Sequence, residues 1–326
     1  MQEESLVEVI RAGQIESRHR ISFAVADAEG RLYAYWGDPE LVTFLRSSAK
    51  PFQAIPFVES GASDHFDFSP PELALACSSH SGTQMHVDLV RRVLDKIGVS
   101  EAALQCGVHI PYDDEAYSDL LRSGETLKPI RNNCSGKHTG MLAMAKYLGA
   151  DLDTYLQENH PVQERILQTV SEMTAWPVES IIVGVDGCSA PTFALPLRAA
   201  ARAYARLAAD PEEPDMRQAA CRRIFEAMTG NPELVAGPGR FDTLFMQAVR
   251  GRMLSKSGAE GFQAIGIPPG ALGDSSPSLG IAIKVHDGDH KDHHAAALIA
   301  VELVKQLGGI NSGERARLSS YDARDQ

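Results

Sequence analysis

The sequence predicts an α/β protein of the α+β type, in which a mainly antiparallel central sheet carries helices on its faces. Short β-branched segments occur near both ends of the chain, and helical periodicity fills the region between them. We expect residues of about 1–45 and 250–310 to form the sheet and about 60–245 to form the helix-rich part. No linker rich in proline, glycine and serine divides the chain, so residues 1–326 are predicted to form one domain.

The predicted strands lie in two groups. Residues 7–10 form a short strand, and residues 21–26 and 32–36 flank the segment Asp-Ala-Glu-Gly-Arg, which is typical of a hairpin turn. Residues 261–267 and 279–285 form a second pair around a connection rich in proline, glycine and serine. Pairing between the two groups would give the antiparallel sheet.

The helices are predicted from apolar residues spaced three and four apart. Gly98 suits the C-terminal cap of one helix, and Pro161 suits the first turn of another. The predicted helices cover residues 85–97, 161–173, 198–208, 216–228 and 293–307, with a buried strand at 180–185. The polar residues 315–326 are predicted to form a loose tail.

Composition excludes several classes of function. The net charge of −12 repels phosphate backbones and anionic lipid, so we expect neither nucleic acid nor a membrane as partner. The five cysteines are an odd, sparse set, which favours free thiols in a reducing compartment. No signal peptide and no apolar run long enough to cross a bilayer is seen, so the cytoplasm is the expected location. The dinucleotide glycine fingerprint is absent, and we expect no nucleotide or organic cofactor.

The first candidate site is the segment Arg-Ser-Ser-Ala-Lys at residues 46–50. Ser47 and Lys50 are three residues apart, which on a helix places both side chains on one face. A serine hydroxyl is a poor nucleophile until a base takes its proton, and Ser-x-x-Lys is the signature of serine enzymes whose base is a lysine. The alternative is an N-cap serine beside a solvated lysine. Pro51 opposes a helical conformation at Lys50.

Two further segments strengthen this interpretation by their order. The segment Cys-Ser-Ser-His-Ser-Gly at residues 77–82 follows an apolar run and suits a loop at the edge of a pocket, or else a capped helix start. The segment Ser-Lys-Ser-Gly at residues 255–258 precedes a predicted strand and resembles the Lys-Thr-Gly element of penicillin-recognising enzymes. Each segment is weak evidence alone, whereas the three in this order indicate lysine-assisted serine chemistry.

A metal site is the other hypothesis. Spacing alone selects Cys134, His138 and Cys188 as zinc ligands on two loops. Buried structural thiols explain the two cysteines equally well.

As a set, the motifs are similar to those of the bacterial L-asparaginase II family of the rhizobial type. This family is related in fold to serine β-lactamases and glutaminases, so the resemblance implies a serine β-lactamase-like catalytic domain. It covers nearly the whole chain and rests, in order, on RSSAKPFQ, CSSHSG, RNNCSGKHTGML, GVDGCSAPTFALPL and SKSGAEG.

The resemblance implies that the protein hydrolyses L-asparagine to L-aspartate and ammonia, holds one zinc ion and forms a homodimer. The serine–lysine pairs would be Ser47 with Lys50 and Ser79 with Lys256; the substrate-binding residues would be Arg46, His138 and Asp186; the zinc ligands would be Cys134, Lys137 and Cys188. The lysine ligand replaces the histidine that spacing selects.

The implied roles agree with the chemistry of asparagine. Its α-carboxylate requires a cation such as Arg46 and its α-ammonium an anion such as Asp186. Ser47 would attack the side-chain amide with Lys50 as general base, while Ser79 and Lys256 relay protons and keep positive charge near Lys50. The alternatives are a glutaminase or another small-amide hydrolase of the same fold, and a non-catalytic protein that binds zinc or an amino acid.

Overall fold

The computed structural model of the chain describes residues 7–289 and 294–321. Its strands are β1 (Val7–Arg11), β2 (Gln14–His19), β3 (Ile21–Asp27), β4 (Leu32–Trp36), β5 (Val42–Phe44), β6 (Ile182–Val185), β7 (Pro191–Pro196), β8 (Leu254–Gly258), β9 (Phe262–Ile267) and β10 (Leu279–Val285). Its helices are α1 (Lys50–Glu59), α2 (Ala62–His65), α3 (Pro70–Ala76), α4 (Gln84–Ile97), α5 (Asp114–Ser123), α6 (Ser135–Tyr147), α7 (Pro161–Thr174), α8 (Leu197–Ala208), α9 (Met216–Gly230), α10 (Pro232–Val235), α11 (Phe241–Ala248), α12 (Ala295–Gln306) and α13 (Ser312–Arg317).

The central sheet joins the two ends of the chain. Its five strands follow the order β4-β3-β10-β9-β8, and every neighbouring pair is antiparallel. Strand β10 pairs with β3 from Leu279 opposite Asp27 to Val285 opposite Ile21. The mixed α/β architecture with an antiparallel sheet is therefore confirmed. The structure adds a β8 edge strand that carries Lys256.

Helices cover the central strands. The alanine-rich helix α8 packs on β3, β9 and β10, and α12 packs on β9 and β10. The approach of α8 is so close that a Cβ atom on Gly280 would lie 1.9 Å from the carbonyl oxygen of Ala201. Glycine is required at this point of β10, because any side chain would push the helix from the sheet.

Two small sheets were not predicted. Strand β1 pairs with β2 as a separate hairpin, so residues 7–10 do not join the central sheet. Strands β5, β7 and β6 form a three-stranded antiparallel sheet in that order. Strand β7 begins and ends with proline and is buried along its whole length, so it lacks the alternation that reveals a strand.

The predicted helices are present, with two differences near the C-terminus. Helix α12 begins at Ala295, and residue 293, where the prediction began, lies outside the described residues. The first part of the predicted loose tail is ordered structure: α13 and a short turn, Ser319–Tyr321, bury Leu318 and Tyr321 against the core. Within residues 7–289 and 294–321, no helix has both the length and the apolar character needed to span a bilayer.

Candidate active site

A cavity of about 220 Å³ lies where several segments of the chain meet. They include the 3-10 turn Arg46–Ala49, the loop after α3, residues 132–134, the loop after β6 and the end of β8. Ser47 and Ser79 both line this cavity, together with Arg46, Asp186 and Arg240. The surface also has larger clefts of about 530 Å³, but it is in this small cavity that the predicted nucleophiles converge.

The turn that carries Ser47 is held in an uncommon conformation. Arg46 has φ = 50°, in the left-handed region that non-glycine residues seldom adopt. Lys50 then begins α1, and Pro51 occupies the second position of that helix, where its missing N–H breaks no helical hydrogen bond. Pro51 is therefore compatible with a helical conformation at Lys50, because the helix begins at the lysine. Ser47 belongs to the preceding turn.

Lys50 is buried and bonds to Ser79. Its Nζ donates to Ser79 Oγ at 2.9 Å and to the Ser78 carbonyl oxygen at 2.5 Å. In the described part of the chain no hydrogen bond joins Lys50 to Ser47. The structure therefore brings the predicted base against the second serine, whereas the resemblance pairs it with the first.

Lys256 is the second buried amine. It is 0% exposed, and its Nζ donates to the Ser257 carbonyl oxygen at 2.8 Å. Burial lowers the pKa of Lys256 to about 7; the Asp242 carboxylate opposes this shift and the nearby Lys50 ammonium adds to it. No hydrogen bond to Ser79 is present among the described residues. The expected positive charge on Lys256 is therefore already half lost near pH 7.

Asp242 is a functional candidate that the sequence did not reveal. Its Oδ2 lies 3.9 Å from Lys256 Nζ, and it accepts hydrogen bonds from Ser255 Oγ at 2.6 Å and the Ser257 backbone N–H at 2.8 Å. Burial would raise the pKa of Asp242, but the Lys256 charge and these hydrogen bonds lower it overall. The protein thus holds a carboxylate behind the lysine. An isolated aspartate on a helix gives no sequence signal for this role.

Opposite charges face each other at the mouth of the cavity. Arg46 Nη2 lies 2.8 Å from Asp186 Oδ1, and its Nε donates to the same oxygen at 2.9 Å. Arg240, which sequence reasoning also missed, lines the cavity and stacks over Tyr112 with 4.8 Å from Cζ to the ring centroid. The cavity therefore offers a carboxylate and two cations to a zwitterionic ligand.

His138 lies behind the cavity lining. It is fully buried, and its Nδ1 is 2.6 Å from the Tyr155 hydroxyl. Its Nε2 is buried and makes no hydrogen bond among the described residues. Burial lowers the pKa of His138 to about 4, with Cys188 opposing the shift. The ring therefore lies behind the cavity wall, and its expected contact with the substrate stays a prediction.

The two cysteines and the lysine of the implied zinc site are brought together. Lys137 Nζ lies 3.0 Å from Cys188 Sγ, and Cys134 is close enough to hydrogen-bond the same sulfur. That hydrogen bond and the Lys137 charge hold the pKa of Cys188 well below its ordinary value, although burial opposes them. A thiolate and a second thiol are donors that suit zinc. Although burial lowers it, the pKa of Lys137 is raised overall by the sulfurs of Cys188 and Cys134, so the third residue fits the ion only after its ammonium group releases a proton.

The ligand set with His138 is not supported. Among residues 7–289 and 294–321, no three histidine, cysteine, aspartate or glutamate side chains are grouped to hold a metal ion. In His138, Nδ1 contacts the Tyr155 hydroxyl and Nε2 makes no hydrogen bond among the described residues, while Lys137 Nζ lies beside Cys188. Spacing along the chain did not distinguish these neighbouring residues.

Comparison with known families decides the class of protein. A sequence model described as L-asparaginase II matches residues 7–325. The chain belongs to the L-asparaginase II family. This membership confirms the resemblance drawn from the motifs and supports an amidohydrolase. A comparison with curated proteins found no significant match.

Solved structures resemble the L-asparaginase II chain only remotely. The native form of Mglu has 14% identity and a TM-score of 0.48, over 90% of this chain and 66% of that one. A probable glutaminase from Bacillus subtilis complexed with 6-diazo-5-oxo-L-norleucine has 13% identity and a TM-score of 0.41, over 90% and 86%. The chain spans slightly less than two thirds of the Mglu chains in the native and the tris and glutamate forms. We infer neither fold nor substrate from these similarities.

Proposed function

We propose that this protein is an L-asparaginase of serine β-lactamase-like fold, which hydrolyses the side-chain amide of L-asparagine through an acyl-enzyme on Ser47. One observation carries the proposal. Ser47 and Ser79 line one small cavity, and two buried lysine amines lie directly behind it. Nucleophile, base and oriented substrate groups are the parts that amide hydrolysis requires.

The charges at the cavity mouth suit the backbone end of an amino acid. Arg46 or Arg240 would bind the α-carboxylate, and Asp186 the α-ammonium group. Arg46 and Asp186 form an ion pair with each other, and a bound zwitterion would replace this one ion pair by two. A cavity of about 220 Å³ favours a small amino acid, with its side-chain amide directed at the serines.

The lysine pair provides the base. Two ammonium charges repel in a buried site, so the pair holds one free amine lone pair above about pH 7, where Lys256 loses its proton. Ser47 Oγ forms a bond to the amide carbon, and its proton passes to the pair through Ser79, which bonds Lys50. The lysine pair gives this proton to the amide nitrogen, the carbon–nitrogen bond breaks and ammonia leaves. A water molecule then attacks the ester carbon while the free amine takes its proton; the bond from carbon to Ser47 Oγ breaks, the proton returns to Ser47 and aspartate is released.

The tetrahedral oxyanion needs donors in the same place. Ser47 lies in the first turn of its 3-10 segment, where a backbone N–H has no partner within the segment. We propose that this N–H stabilises the oxyanion.

We also propose that Cys134, Lys137 and Cys188 hold one zinc ion. When bound, zinc would supply a Lewis-acid centre, and its binding would displace the protons of the Cys134 thiol and the Lys137 ammonium group. Cys134 and Cys188 line the cavity, so the cluster braces the wall that faces the substrate.

The proposed homodimer has a candidate surface. Phe44 and Ile182 both oppose Ala194 across the small sheet, and both are exposed. An exposed apolar sheet face is typical of an interface. Light scattering should therefore give twice the chain mass, and Phe44→Glu should give the monomer. A monomeric wild type would refute this part of the proposal.

Ammonia release tests the substrate. We expect release from L-asparagine, slower release from L-glutamine and no hydrolysis of a chromogenic β-lactam. Faster turnover of glutamine would replace asparaginase by glutaminase, and no release from either amide, in zinc-replete protein, would overturn the hydrolase proposal.

A further inference from the structure

A second cleft, of about 530 Å³, is lined by arginines. Arg202 and Arg206 stand one turn apart on α8, and Arg217 extends from the first turn of α9. The cleft shares no lining residue with the active-site cavity. It is therefore a separate feature that the proposed hydrolysis does not use.

The two arginines of α8 form no close ion pair within the described residues, although Glu29 and Asp27 attract Arg202 from a greater distance. Arg202 Nε donates to the Ala28 carbonyl oxygen at 3.0 Å, and Arg206 Nη1 donates to the Glu172 carbonyl oxygen at 2.5 Å. Among the described residues neither guanidinium lies within 4.0 Å of a carboxylate, whereas Arg198, one turn earlier, pairs with Glu40 at 2.6 Å. A row of cations with this spacing repels itself unless an anion lies between them.

The acidic residues of the cleft are mostly engaged elsewhere. Asp210 pairs with Arg222 at 2.5 Å, and Asp215 accepts the Gln218 backbone N–H at 2.8 Å as the N-cap of α9. Glu29 is exposed at the rim. Arg217 pairs with Glu59 and Glu172, which leaves Arg202 and Arg206 as the cations available to a ligand.

The shape and lining of the cleft define the ligand. Met173 and Cys221 are buried apolar residues of the lining, and Gln218 and Ser278 add polar groups. Side chains one helical turn apart have Cβ atoms about 6 Å apart, a spacing that suits two carboxylates on one short carbon chain. Guanidinium groups bind carboxylates with two parallel hydrogen bonds. We propose that this cleft binds a small dicarboxylate, with one carboxylate on Arg202 and the other on Arg206.

Helix α8 links the cleft to the active site. Between the two arginines, Tyr204 donates its hydroxyl to the Ser48 carbonyl oxygen at 2.7 Å, next to Ser47. The Tyr204 ring also meets Phe52 of α1 edge-on at 5.2 Å between centroids. A dicarboxylate that immobilises α8 should therefore also stabilise the turn that carries Ser47.

Calorimetric titration with succinate tests the site in the zinc-replete protein of 326 residues, with chloride as the ionic-strength control. We expect saturable binding at about 1 mM or below, and a loss of about tenfold or more in Arg202→Gln/Arg206→Gln. The matched control is Arg91→Gln/Arg223→Gln, which removes two arginines paired with Asp88 and Asp64 outside the cleft. It should bind succinate like the wild type.

A variant that keeps both positive charges distinguishes the loss of the binding site from misfolding. Arg202→Lys/Arg206→Lys should retain weaker, measurable binding, because lysine supplies charge without the bidentate geometry. Hydrogen exchange at residues 46–50 should slow when succinate saturates the wild type. Absence of saturable binding by the wild type, or equal loss in the control variant, would overturn the site. Binding without slower exchange at residues 46–50 would overturn its link to the turn. Neither measurement depends on which amide is hydrolysed.

Discussion

Replacing Asp242 by asparagine should shift the pH dependence of catalysis. The carboxylate lies 3.9 Å from Lys256 Nζ, and both groups are buried. At an effective dielectric constant of about 20, this attraction is about 4 kcal/mol, equivalent to about 3 on the pKa scale. Because the attraction favours the charged amine, the pKa of Lys256 should fall from about 7 by about this amount in Asp242→Asn.

The assay is kcat/KM for asparagine between about pH 4.5 and 9, where only the free enzyme's titrating groups matter. Wild-type activity should fall as the pH drops through about 7, where Lys256 gains its proton. In Asp242→Asn this acidic limb should move to lower pH by about 2 to 3. The plateau should also decrease, because a less basic amine is a weaker proton acceptor.

A matched variant separates charge from hydrogen bonding. Ser255→Ala removes one hydrogen bond to Asp242 but keeps the carboxylate, so its acidic limb should remain near that of the wild type. An unshifted limb in a folded Asp242→Asn enzyme would refute the idea that Asp242 sets the charge state of the lysine pair. Circular dichroism establishes folding, since asparagine presents an N–H where the Ser257 backbone N–H now donates.

Three further variants test other parts of the site. Ser47→Ala should lower kcat by about 10⁴-fold or more without unfolding the protein, whereas activity that survives in Ser47→Ala and disappears in Ser79→Ala would move the nucleophile to Ser79. Cys188→Ala should lose zinc by elemental analysis, with Cys221→Ala as the control because Cys221 is a buried free thiol far along the chain from both loops; equal zinc in both variants would exclude the proposed ligands. Lys256→Met should abolish turnover. In the Asp242→Asn background, where removing the amine leaves no unpaired buried carboxylate, Lys256→Met should unfold at higher urea concentration near pH 6 than Asp242→Asn alone, and equal or lower stability there would contradict the cost assigned to burying this amine.

The motifs predicted which residues lie close together in the site, but not which of their atoms form hydrogen bonds. Ser-x-x-Lys places Ser47 and Lys50 on one face only if a single helix contains both. The change from 3-10 turn to α-helix at Lys50 directs its amine to Ser79 instead. Arg46, the first residue of this turn, has a left-handed conformation that a sequence pattern does not encode.

The prediction of the fold was also limited by contacts between residues that are far apart in the chain. Short strand patterns at both ends of the chain were sufficient to predict that terminal strands pair with one another, but not that β3 pairs with β10. Strand β7 was not predicted, because a segment with two prolines and continuous burial resembles a loop that crosses the core. The role of Asp242 was not predicted for a related reason. Its hydrogen-bond partners Ser255 and Gln263 lie on strands β8 and β9, and only tertiary folding brings these strands against α11.

The pH dependence of stability follows from the same buried amine that serves catalysis. Lys256 has its pKa lowered to about 7 in the folded protein, below its ordinary value of about 10.4 when unfolded. Between these values the unfolded chain binds more protons, so the free energy of unfolding rises with pH in this window. Below about pH 7 both states are protonated and the folded protein bears the cost of a buried charge, which Asp242 reduces but does not remove. The amine that can accept a proton from serine is therefore also a source of instability, and the methionine variant separates the two effects.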